Sequence, residues 1–349
     1  MEPVEIAGRL VGEGKPCFII AEAGVNHNGD VELGKKLIDA AKSSGADAVK
    51  FQAFRAERLA TRGARKADYQ RITQGDDSQL EMLRRLELSE VEFKELADYS
   101  RKREIIFLSS CFDPESADLL EKLDIAAYKM GSGELTNLPL LRHVASKGRP
   151  MILSSGMSTM EEVAEALGTV SEGGCDRVVL LHCVSSYPVK ADDVNLRVIE
   201  TLRDHFRIPV GFSDHTLSPV IPAAAVALGA VMIEKHFTLD HKLPGPDHRM
   251  SLEPEEFRRM TANIREVEKA LGDGVKKVSE AERQVSEVAR RSIVAAVDIP
   301  AGAMIKHEML DIKRPGTGIE PKRIGEIVGK KARRLIRRDE LISWDALAT

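Results

Sequence analysis

The segment PVGFSDHTLSPVIPAAAVALGAVMIEKH, residues 209–236, displays in one place the pattern on which most of the chain is built. Two short apolar runs, residues 209–213 and 231–236, flank an amphipathic stretch from 219 to 228, and both runs end in polar side chains. Short apolar strands separated by an amphipathic helix are typical of a parallel sheet. We therefore predict a strand–helix–strand unit over these residues.

The same unit recurs through the first 270 residues. Six more apolar runs precede this segment, at residues 17–22, 48–52, 105–110, 126–130, 151–155 and 178–182. Eight strand–helix units in succession favour an α/β fold in which the sheet closes into a (β/α)8 TIM barrel. The alternative is an open doubly wound sheet. That fold usually carries a Gly-x-Gly-x-x-Gly turn after its first strand, whereas residues 21–26 read AEAGVN.

Two regions depart from the repeat. Residues 54–78 add a long polar stretch to the second unit, and an insertion at that position predicts a lid or substrate loop. Beyond residue 272 the alternation stops, and from residue 290 short β-rich runs are punctuated by proline and glycine. We predict a barrel over residues 1–272, a linker over 273–289 and a small β-rich domain over 290–349.

The composition excludes several classes of protein. A net charge of -4 and an aromatic content of 4% over 349 residues argue against a nucleic-acid partner. The longest apolar stretch, residues 223–233, is about half the length that a membrane span needs, and the acidic N-terminus lacks a secretory signal. We therefore expect a cytoplasmic protein without a membrane partner. The four cysteines contain no Cys-x-x-Cys pair of the kind that binds metal or forms a redox site, so we predict that they are reduced and buried. They are Cys17, Cys111, Cys175 and Cys183.

Cationic and hydroxyl side chains occur at or near the ends of the predicted strands, which form the reactive face of a TIM barrel. Lys50 and Lys129 lie inside two strands, where a buried ammonium group needs an anionic partner. Each serine in this region is explained, taken alone, as a strand-end cap. Taken with the two lysines, the serines predict a cradle for a small phosphorylated or carboxylated molecule. They are Ser110, Ser132, Ser154, Ser185 and Ser213.

Two histidines follow neighbouring predicted strands. The period-two rule places Ser213 and His215 on one face of the seventh strand, and His236 ends the eighth. Adjacent strands lie about 5 Å apart, so both imidazoles can reach one divalent ion. Two nitrogen ligands, with water and substrate oxygen in the other positions, suit Mn²⁺ or Mg²⁺ better than structural Zn²⁺. The alternative is that each histidine is hydrogen-bonded in the core or at the surface.

Three carboxylates belong to the same predicted face. Glu22 ends the first strand and Glu134 follows the fourth, where a carboxylate serves as general acid or base or balances a nearby cation. Asp247 lies in the proline-rich loop 243–248 after the eighth strand. A hydroxyl-rich substrate explains an aspartate there, and so does capping of the loop.

Six motifs occur in order along the chain: AEAGVNHNG (21–29), KMGSGE (129–134), LSSGM (153–157), GFSDHT (211–216), EKHFT (234–238) and PGPDH (244–248). Together they resemble the sialic acid (N-acetylneuraminate) synthase family, which includes a legionaminic acid synthase branch. The tail, with RRS (290–292) and KRPGTG (313–318), is similar to the C-terminal antifreeze-like (SAF) domain of that family. The resemblance extends over essentially the whole chain.

The resemblance implies an activity, a metal and a set of site residues. Members condense phosphoenolpyruvate with an N-acylated amino sugar, such as N-acetylmannosamine, and water to give a nonulosonic (sialic) acid and phosphate. It implies a divalent metal at His215 and His236, which we expect to be Mn²⁺ rather than Mg²⁺ or Co²⁺. For this reaction we predict that Glu134 transfers a proton or stabilises the developing positive charge, and that Glu22 is a second catalytic carboxylate, which positions water or substrate. The implied phosphoenolpyruvate contacts are Lys50, Ser110, Lys129, Ser132, Ser154, Ser185 and Ser213. The implied sugar contacts are Gln52, Tyr187, Asp247 and Arg314.

The same resemblance implies an assembly. In relatives the tail domain caps the barrel of the other subunit, so we expect a domain-swapped homodimer in which Arg314 acts in trans. Several positions depart from the pattern of bacterial sialic acid synthases, namely Cys111 and the pair Ser185 and Ser186. The stretch KADYQ (66–70) resembles the legionaminic acid branch, whose acceptor is 2,4-diacetamido-2,4,6-trideoxymannose. The identity of the sugar therefore stays open.

Two other classes of function are compatible with the residues alone. In a Schiff-base aldolase, Lys129 or Lys235 would form an imine with a carbonyl substrate. In a binding protein without catalytic activity, the barrel would be a scaffold for the tail. Release of phosphate from phosphoenolpyruvate distinguishes the synthase from both.

Overall fold

The computed structural model describes residues 1–67, 71 and 78–348. The chain divides into two compact units, Met1–Gly272 and Asp273–Thr349. Residues 68–70 and 72–77 of the predicted lid, which include three positions of the KADYQ stretch, lie outside the described residues.

In the first unit, eight parallel strands close into a barrel, which confirms the predicted TIM barrel. Each of the eight predicted apolar runs overlaps one strand. Each strand pairs with the next one along the chain and the last pairs with the first, so neighbours in sequence are neighbours in space. They are β3 (Phe18–Gly24), β4 (Ala48–Ala53), β5 (Ile106–Cys111), β6 (Tyr128–Met130), β7 (Met151–Ser154), β8 (Val178–Cys183), β9 (Val210–Asp214) and β10 (Met232–His236).

A short antiparallel hairpin, β1 (Val4–Ile6) and β2 (Arg9–Val11), covers one end of the barrel. Its apolar side chains pack with residues near the starts of the barrel strands, such as Phe18, Leu108 and Met232. The hairpin therefore covers the N-terminal end of the barrel. The polar side chains that follow the strands gather at the opposite end, where TIM-barrel enzymes place their chemistry.

Helices pack their apolar faces on the outside of the barrel. Polar side chains begin several of them: the Asp30 carboxylate accepts two backbone hydrogen bonds at the start of α1, and Thr159 and Glu162 form a capping box at the start of α7. The helices are α1 (Val31–Ser43), α2 (Ala56–Leu59), α3 (Gln79–Leu86), α4 (Glu90–Lys102), α5 (Pro114–Lys122), α6 (Leu138–Ala145), α7 (Met160–Glu172), α8 (Ala191–Val194), α9 (Val198–Phe206), α10 (Ile221–Ala227) and α11 (Pro254–Leu271).

The amphipathic stretch over residues 80–101 suggests one long helix, but the structure has two, α3 and α4. The break falls before Ser89, whose hydroxyl caps α4 in a reciprocal arrangement with Glu92. α3 packs in a separate apolar cluster with Val25, Phe54 and Ala56 rather than with the main barrel core. α3 and part of the insertion before it therefore form a small core together.

The second unit contains α12 (Glu280–Ala289), an antiparallel pair of strands, β11 (Ser292–Ala295) and β12 (Leu310–Lys313), and α13 (Ile324–Ile327). Its core is rich in isoleucine, including Ile293, Ile299 and Ile336. Residues 273–289, the predicted linker, group with this unit. Among the described residues, no helix combines the length and apolar character needed to cross a membrane. All four cysteines are buried and unpaired, as predicted.

Candidate active site

A cavity of about 550 Å³ lies among the side chains that end the barrel strands. Every residue of the first unit that is predicted to bind metal, phosphoenolpyruvate or sugar, or to be a catalytic carboxylate, lines it. Arg314 belongs to the second unit, where its Nε donates to the backbone oxygen of Ala289. The predicted residues that line the cavity are Glu22, Lys50, Gln52, Ser110, Lys129, Ser132, Glu134, Ser154, Ser185, Tyr187, Ser213, His215, His236 and Asp247.

Four buried charges form a cluster in this cavity. Lys50 Nζ lies 2.7 Å from Glu22 Oε2 and 3.7 Å from Glu234 Oε2. Lys129 Nζ lies 3.5 Å from Glu234 Oε1. The sequence predicts that both lysines need an anionic partner, and the structure supplies two protein carboxylates, with Glu234 shared between the lysines. Glu234 is not among the site residues predicted from the sequence, although the period-two rule places it on the same face of β10 as His236.

The pKa values within this cluster follow from burial and from the opposite charges. Burial opposes ionisation of Glu234, but the charges of Lys129 and Lys50 lower its pKa to about 2. Burial lowers the pKa of Lys50, but the charges of Glu22 and Glu234 outweigh that effect, so its pKa is raised. Burial lowers the pKa of Lys129, and the Glu234 carboxylate offsets that effect only in part. The charged form of Lys129 therefore depends strongly on Glu234.

The serine hydroxyls fall into two groups. Ser110 accepts a 2.9 Å hydrogen bond from Lys50, and Ser213 donates one of 2.9 Å to Glu234, so both belong to the charge cluster. By contrast, the Ser154 hydroxyl is buried and has no hydrogen-bond partner among the described residues. A buried donor without a partner costs free energy unless a ligand satisfies it. Ser154 therefore fits a site for an anion.

The backbone at Gly156 brings two more hydroxyls together. A Cβ atom at Gly156 would lie 2.3 Å from Ser185 Oγ and 2.6 Å from Ser132 Oγ, so no larger residue fits without movement. Gly156 also donates its backbone N–H to Ser132 Oγ over 3.1 Å. The close approach of the backbone places these hydroxyls around a common space, as the predicted cradle requires.

The two histidines lie side by side at the ends of β9 and β10. Lys235 pairs with Asp214 in the strand register, so His236 and His215 occupy the next positions, and their ring centroids are 5.3 Å apart. His215 Nδ1 donates to the backbone oxygen of Val184 over 2.9 Å, which leaves Nε2 as its free nitrogen. His236 Nδ1 is buried, and no hydrogen-bond partner for it lies in the part of the chain that the structure describes. Burial and the neighbouring charges of His215 and Lys50 hold the pKa of His236 well below its usual range.

These features fit a divalent cation. An uncharged imidazole and a buried nitrogen without a partner are suited to metal binding. Among the described residues, no set of three or more His, Cys, Asp or Glu side chains forms a metal site, so two histidines would leave positions for oxygen ligands.

Three carboxyl groups of the cavity have raised pKa values. Burial raises the pKa of Glu22, although the charge of Lys50 opposes that shift. Glu134 follows β6 in a short 3₁₀ turn and accepts a 2.7 Å hydrogen bond from Asn137, and burial raises its pKa. Burial and the charge of Glu22 raise the pKa of Asp247 to about 7. Carboxyl groups that change protonation closer to neutral pH are suited to proton transfer.

The helix that follows the insertion, α3, forms most of an apolar side of the cavity, which is not among the features predicted from the sequence. α3 contributes Met82, Leu83 and Leu86, and Leu59 and Phe112 lie beside them. Apolar side chains exposed to a cavity match methyl groups of a ligand better than its hydroxyl groups.

Of the two candidate Schiff-base lysines, only one reaches the cavity. Lys129 lines the cavity, whereas Lys235 is fully buried and does not line it. The Lys235 ammonium donates to the carboxylate of Asp214 and to the backbone oxygen of Thr216. Lys235 therefore holds the chain beside His215 and has no access to a substrate.

Comparisons with known proteins cover both units. The sequence model of the NeuB family matches residues 37–276, and that of the SAF domain matches residues 290–348. The N,N'-diacetyllegionaminic acid synthase of Legionella pneumophila is 47% identical over 339 residues, which are 96% of this chain and 95% of that protein. The N-acetylneuraminate-9-phosphate synthase of Homo sapiens is 39% identical over 340 residues, 96% of this chain and 94% of that protein.

A solved structure is similar along most of the chain. It is the N-acetylneuraminic acid (sialic acid) synthetase of Leptospira borgpetersenii serovar Hardjo-bovis, in complex with citrate. The TM-score is 0.72 at 33% sequence identity, and the similarity covers 81% of this chain and 95% of that chain.

Proposed function

Because the chain belongs to the NeuB family, we propose that it condenses phosphoenolpyruvate with an N-acylated amino sugar and water to give a nonulosonic acid and phosphate. One observation carries the proposal: a buried cluster of two lysines and two glutamates lies in the same cavity as two adjacent histidines. The lysines suit an anionic substrate and the histidines suit a cation. The condensation needs both.

We propose that His215 and His236 hold a divalent metal ion, with Mn²⁺ preferred to Mg²⁺ or Co²⁺. When bound, such an ion acts as a Lewis acid toward a carbonyl oxygen. The hydrogen bond from His215 Nδ1 to Val184 fixes the orientation of that ring.

The side chains around the cluster would bind the two anionic groups of phosphoenolpyruvate. Lys50 and Lys129 would pair with its carboxylate and phosphate, and Ser154 would donate the hydrogen bond that it lacks without ligand. Binding in this way fixes the methylene carbon of phosphoenolpyruvate against the aldehyde carbon of the open-chain sugar. A carbon–carbon bond forms between these two atoms, and the aldehyde oxygen takes up a proton.

Water then completes the reaction. It adds to the carbon that bears the phosphate, and the bond between that carbon and its bridging oxygen breaks, so phosphate leaves and a keto group remains. We assign the proton transfers to Glu134, because burial raises the pKa of its carboxyl group. Glu22, held by Lys50 and by a 3.0 Å hydrogen bond from Gln52, would position the water or the sugar.

For the acceptor we propose 2,4-diacetamido-2,4,6-trideoxymannose, with N-acetylmannosamine as the alternative. Two observations support this choice. The legionaminic acid synthase is 47% identical to this chain, against 39% for the N-acetylneuraminate-9-phosphate synthase. The apolar side formed by Met82, Leu83 and Leu86 suits the methyl groups of a deoxy sugar with two acetamido substituents.

Product analysis tests the reaction and the acceptor together. The purified protein is incubated with Mn²⁺, phosphoenolpyruvate and one sugar in each reaction. The three sugars are the diacetamido sugar, N-acetylmannosamine and its 6-phosphate. We expect phosphate and a 2-keto acid in equal amounts, formed fastest with the diacetamido sugar. No phosphate with any sugar would overturn the synthase. A borohydride-trapped adduct with chelator-insensitive turnover would instead favour an imine at Lys129.

We expect Glu134→Gln to lower turnover by at least about tenfold, because an amide cannot exchange the proton that the carboxyl group carries. The rate is measured as phosphate release at saturating substrates, and circular dichroism checks the fold. Glu161→Gln, at an exposed position on α7, is the matched control. Near-wild-type turnover by a folded Glu134→Gln protein would remove Glu134 from the mechanism.

We also propose a domain-swapped homodimer in which Arg314 contacts the sugar bound to the other subunit, supported by the SAF match over residues 290–348. Arg314→Ala and Glu134→Gln proteins are each expected to be weakly active. Mixing them under exchange conditions would restore activity, because one site of each mixed dimer then combines an intact barrel with an intact Arg314. Absence of restoration, despite demonstrated subunit exchange, would contradict action in trans.

A further inference from the structure

The motif NHNG (26–29), which the reaction above does not use, lies next to the loop that carries Asp247. His248 follows Asp247 directly and is fully buried. Both of its ring nitrogens are engaged: Nδ1 lies 2.6 Å from Thr238 Oγ1, and Nε2 lies 3.2 Å from Asn28 Oδ1. His248 therefore connects the loop after β10 with the loop after β3.

The direction of these hydrogen bonds follows from the protonation of the ring. Burial lowers the pKa of His248 to about 4, so the ring is neutral near pH 7. Because Asn28 Oδ1 only accepts, Nε2 carries the proton, and Nδ1 accepts from the hydroxyl of Thr238. A neutral histidine satisfies one donor and one acceptor in this position, which neither a lysine nor an aspartate could do.

A second set of hydrogen bonds holds Asp247 from the other side. Asn26 Nδ2 donates to Ser251 Oγ and to the backbone oxygen of Phe237, each over 2.9 Å. The Ser251 hydroxyl in turn donates to the backbone oxygen of Asp247 over 2.7 Å. The side chains of Asn26 and Ser251 are fully buried. The backbone of Asp247 is therefore tied to the same two loops that His248 connects.

The packing of the loop leaves little room for another arrangement. A Cβ atom at Gly245 would lie 2.5 Å from the His248 ring and 2.6 Å from Asn28 Oδ1. The backbone of the loop therefore lies directly against this pair. Asp247 presents its carboxyl group to the cavity from a loop that is fixed by buried polar contacts rather than by a regular element.

We propose that His248 is a positioning residue, which acts by holding Asp247 where the carboxyl group contacts the amino sugar. The inference rests on the proposed function, because it takes Asp247 as a sugar contact. His248 itself does not line the cavity. Its loss should weaken the binding of the sugar and leave the binding of phosphoenolpyruvate unchanged, because Lys50, Lys129 and Ser154 belong to other elements.

Steady-state kinetics with each substrate varied in turn tests this role. We expect His248→Ala to raise the KM for the sugar about tenfold at an unchanged KM for phosphoenolpyruvate. Thr238→Val keeps the shape of that side chain but removes the hydroxyl, and should raise the sugar KM by a smaller factor in the same direction. If His248→Ala does not fold, the KM values of Thr238→Val test the inference instead. His205→Ala, at an exposed position on α9, should change neither KM.

A double-mutant cycle separates positioning from a general loss of structure. In an Asp247→Asn background, His248→Ala should raise the sugar KM no further, because the group that it positions is already altered. Equal increases in both KM values, or effects that multiply in the double variant, would overturn the inference. A wild-type protein without condensation activity would overturn the proposed function instead, so the two failures are distinguished before any variant is compared.

Discussion

His236→Ala should lower turnover by about a thousandfold. Only two histidines of the described cavity are arranged to hold a cation, and the second of them, His215, already uses Nδ1 for a backbone hydrogen bond. Removing one of two protein ligands leaves a site that a divalent ion binds weakly. Turnover is measured at saturating substrates, and Mn²⁺ affinity is measured separately by calorimetry.

The affinity measurement separates this explanation from a loss of structure. We expect the Mn²⁺ affinity of His236→Ala to fall together with turnover, and part of the activity to return at high Mn²⁺ concentration. His143→Ala, on α6 and paired with Asp118, is a control that leaves both quantities unchanged. Wild-type Mn²⁺ affinity in His236→Ala, or full activity of the wild type after exhaustive chelation, would contradict the metal site.

Much of the barrel is predictable because a parallel strand is buried on both faces. β8 is an example: residues 178–182 are predicted from an unbroken apolar run, and the strand Val178–Cys183 is buried throughout. The positions of the site residues follow from the same pattern, since polar side chains near the strand ends face the C-terminal end of the barrel. For this reason the predicted residues of the first unit line one cavity.

The pairing inside the cavity is not predictable in the same way. The sequence shows that Lys129 needs an anion, but β6 and β10 are not adjacent strands, so no register rule identifies Glu234 as its partner. The apolar side of the cavity depends on how α3 packs on Val25 and Phe54. Both features arise from contacts between distant segments, which local patterns do not encode.

Glu234→Gln should lower kcat/KM for phosphoenolpyruvate by about a hundredfold, because this carboxylate is the counter-charge of Lys129. Burial already lowers the pKa of Lys129, and the loss of the 3.5 Å ion pair lowers it further. The ammonium binds an anion only below its pKa. The KM for phosphoenolpyruvate should therefore begin to rise, as pH increases, at a lower pH in the variant than in the wild type.

A comparison with Ser213→Ala distinguishes the charge of Glu234 from its hydrogen bond. That substitution removes the 2.9 Å hydrogen bond to Glu234 but leaves the carboxylate beside Lys129, so it should weaken phosphoenolpyruvate binding without moving the pH at which KM rises. An unchanged pH profile in a folded Glu234→Gln protein would mean that Lys129 stays charged without this partner. The buried cluster would then be a feature of barrel packing, and the anion site would depend on Lys50 and the serines.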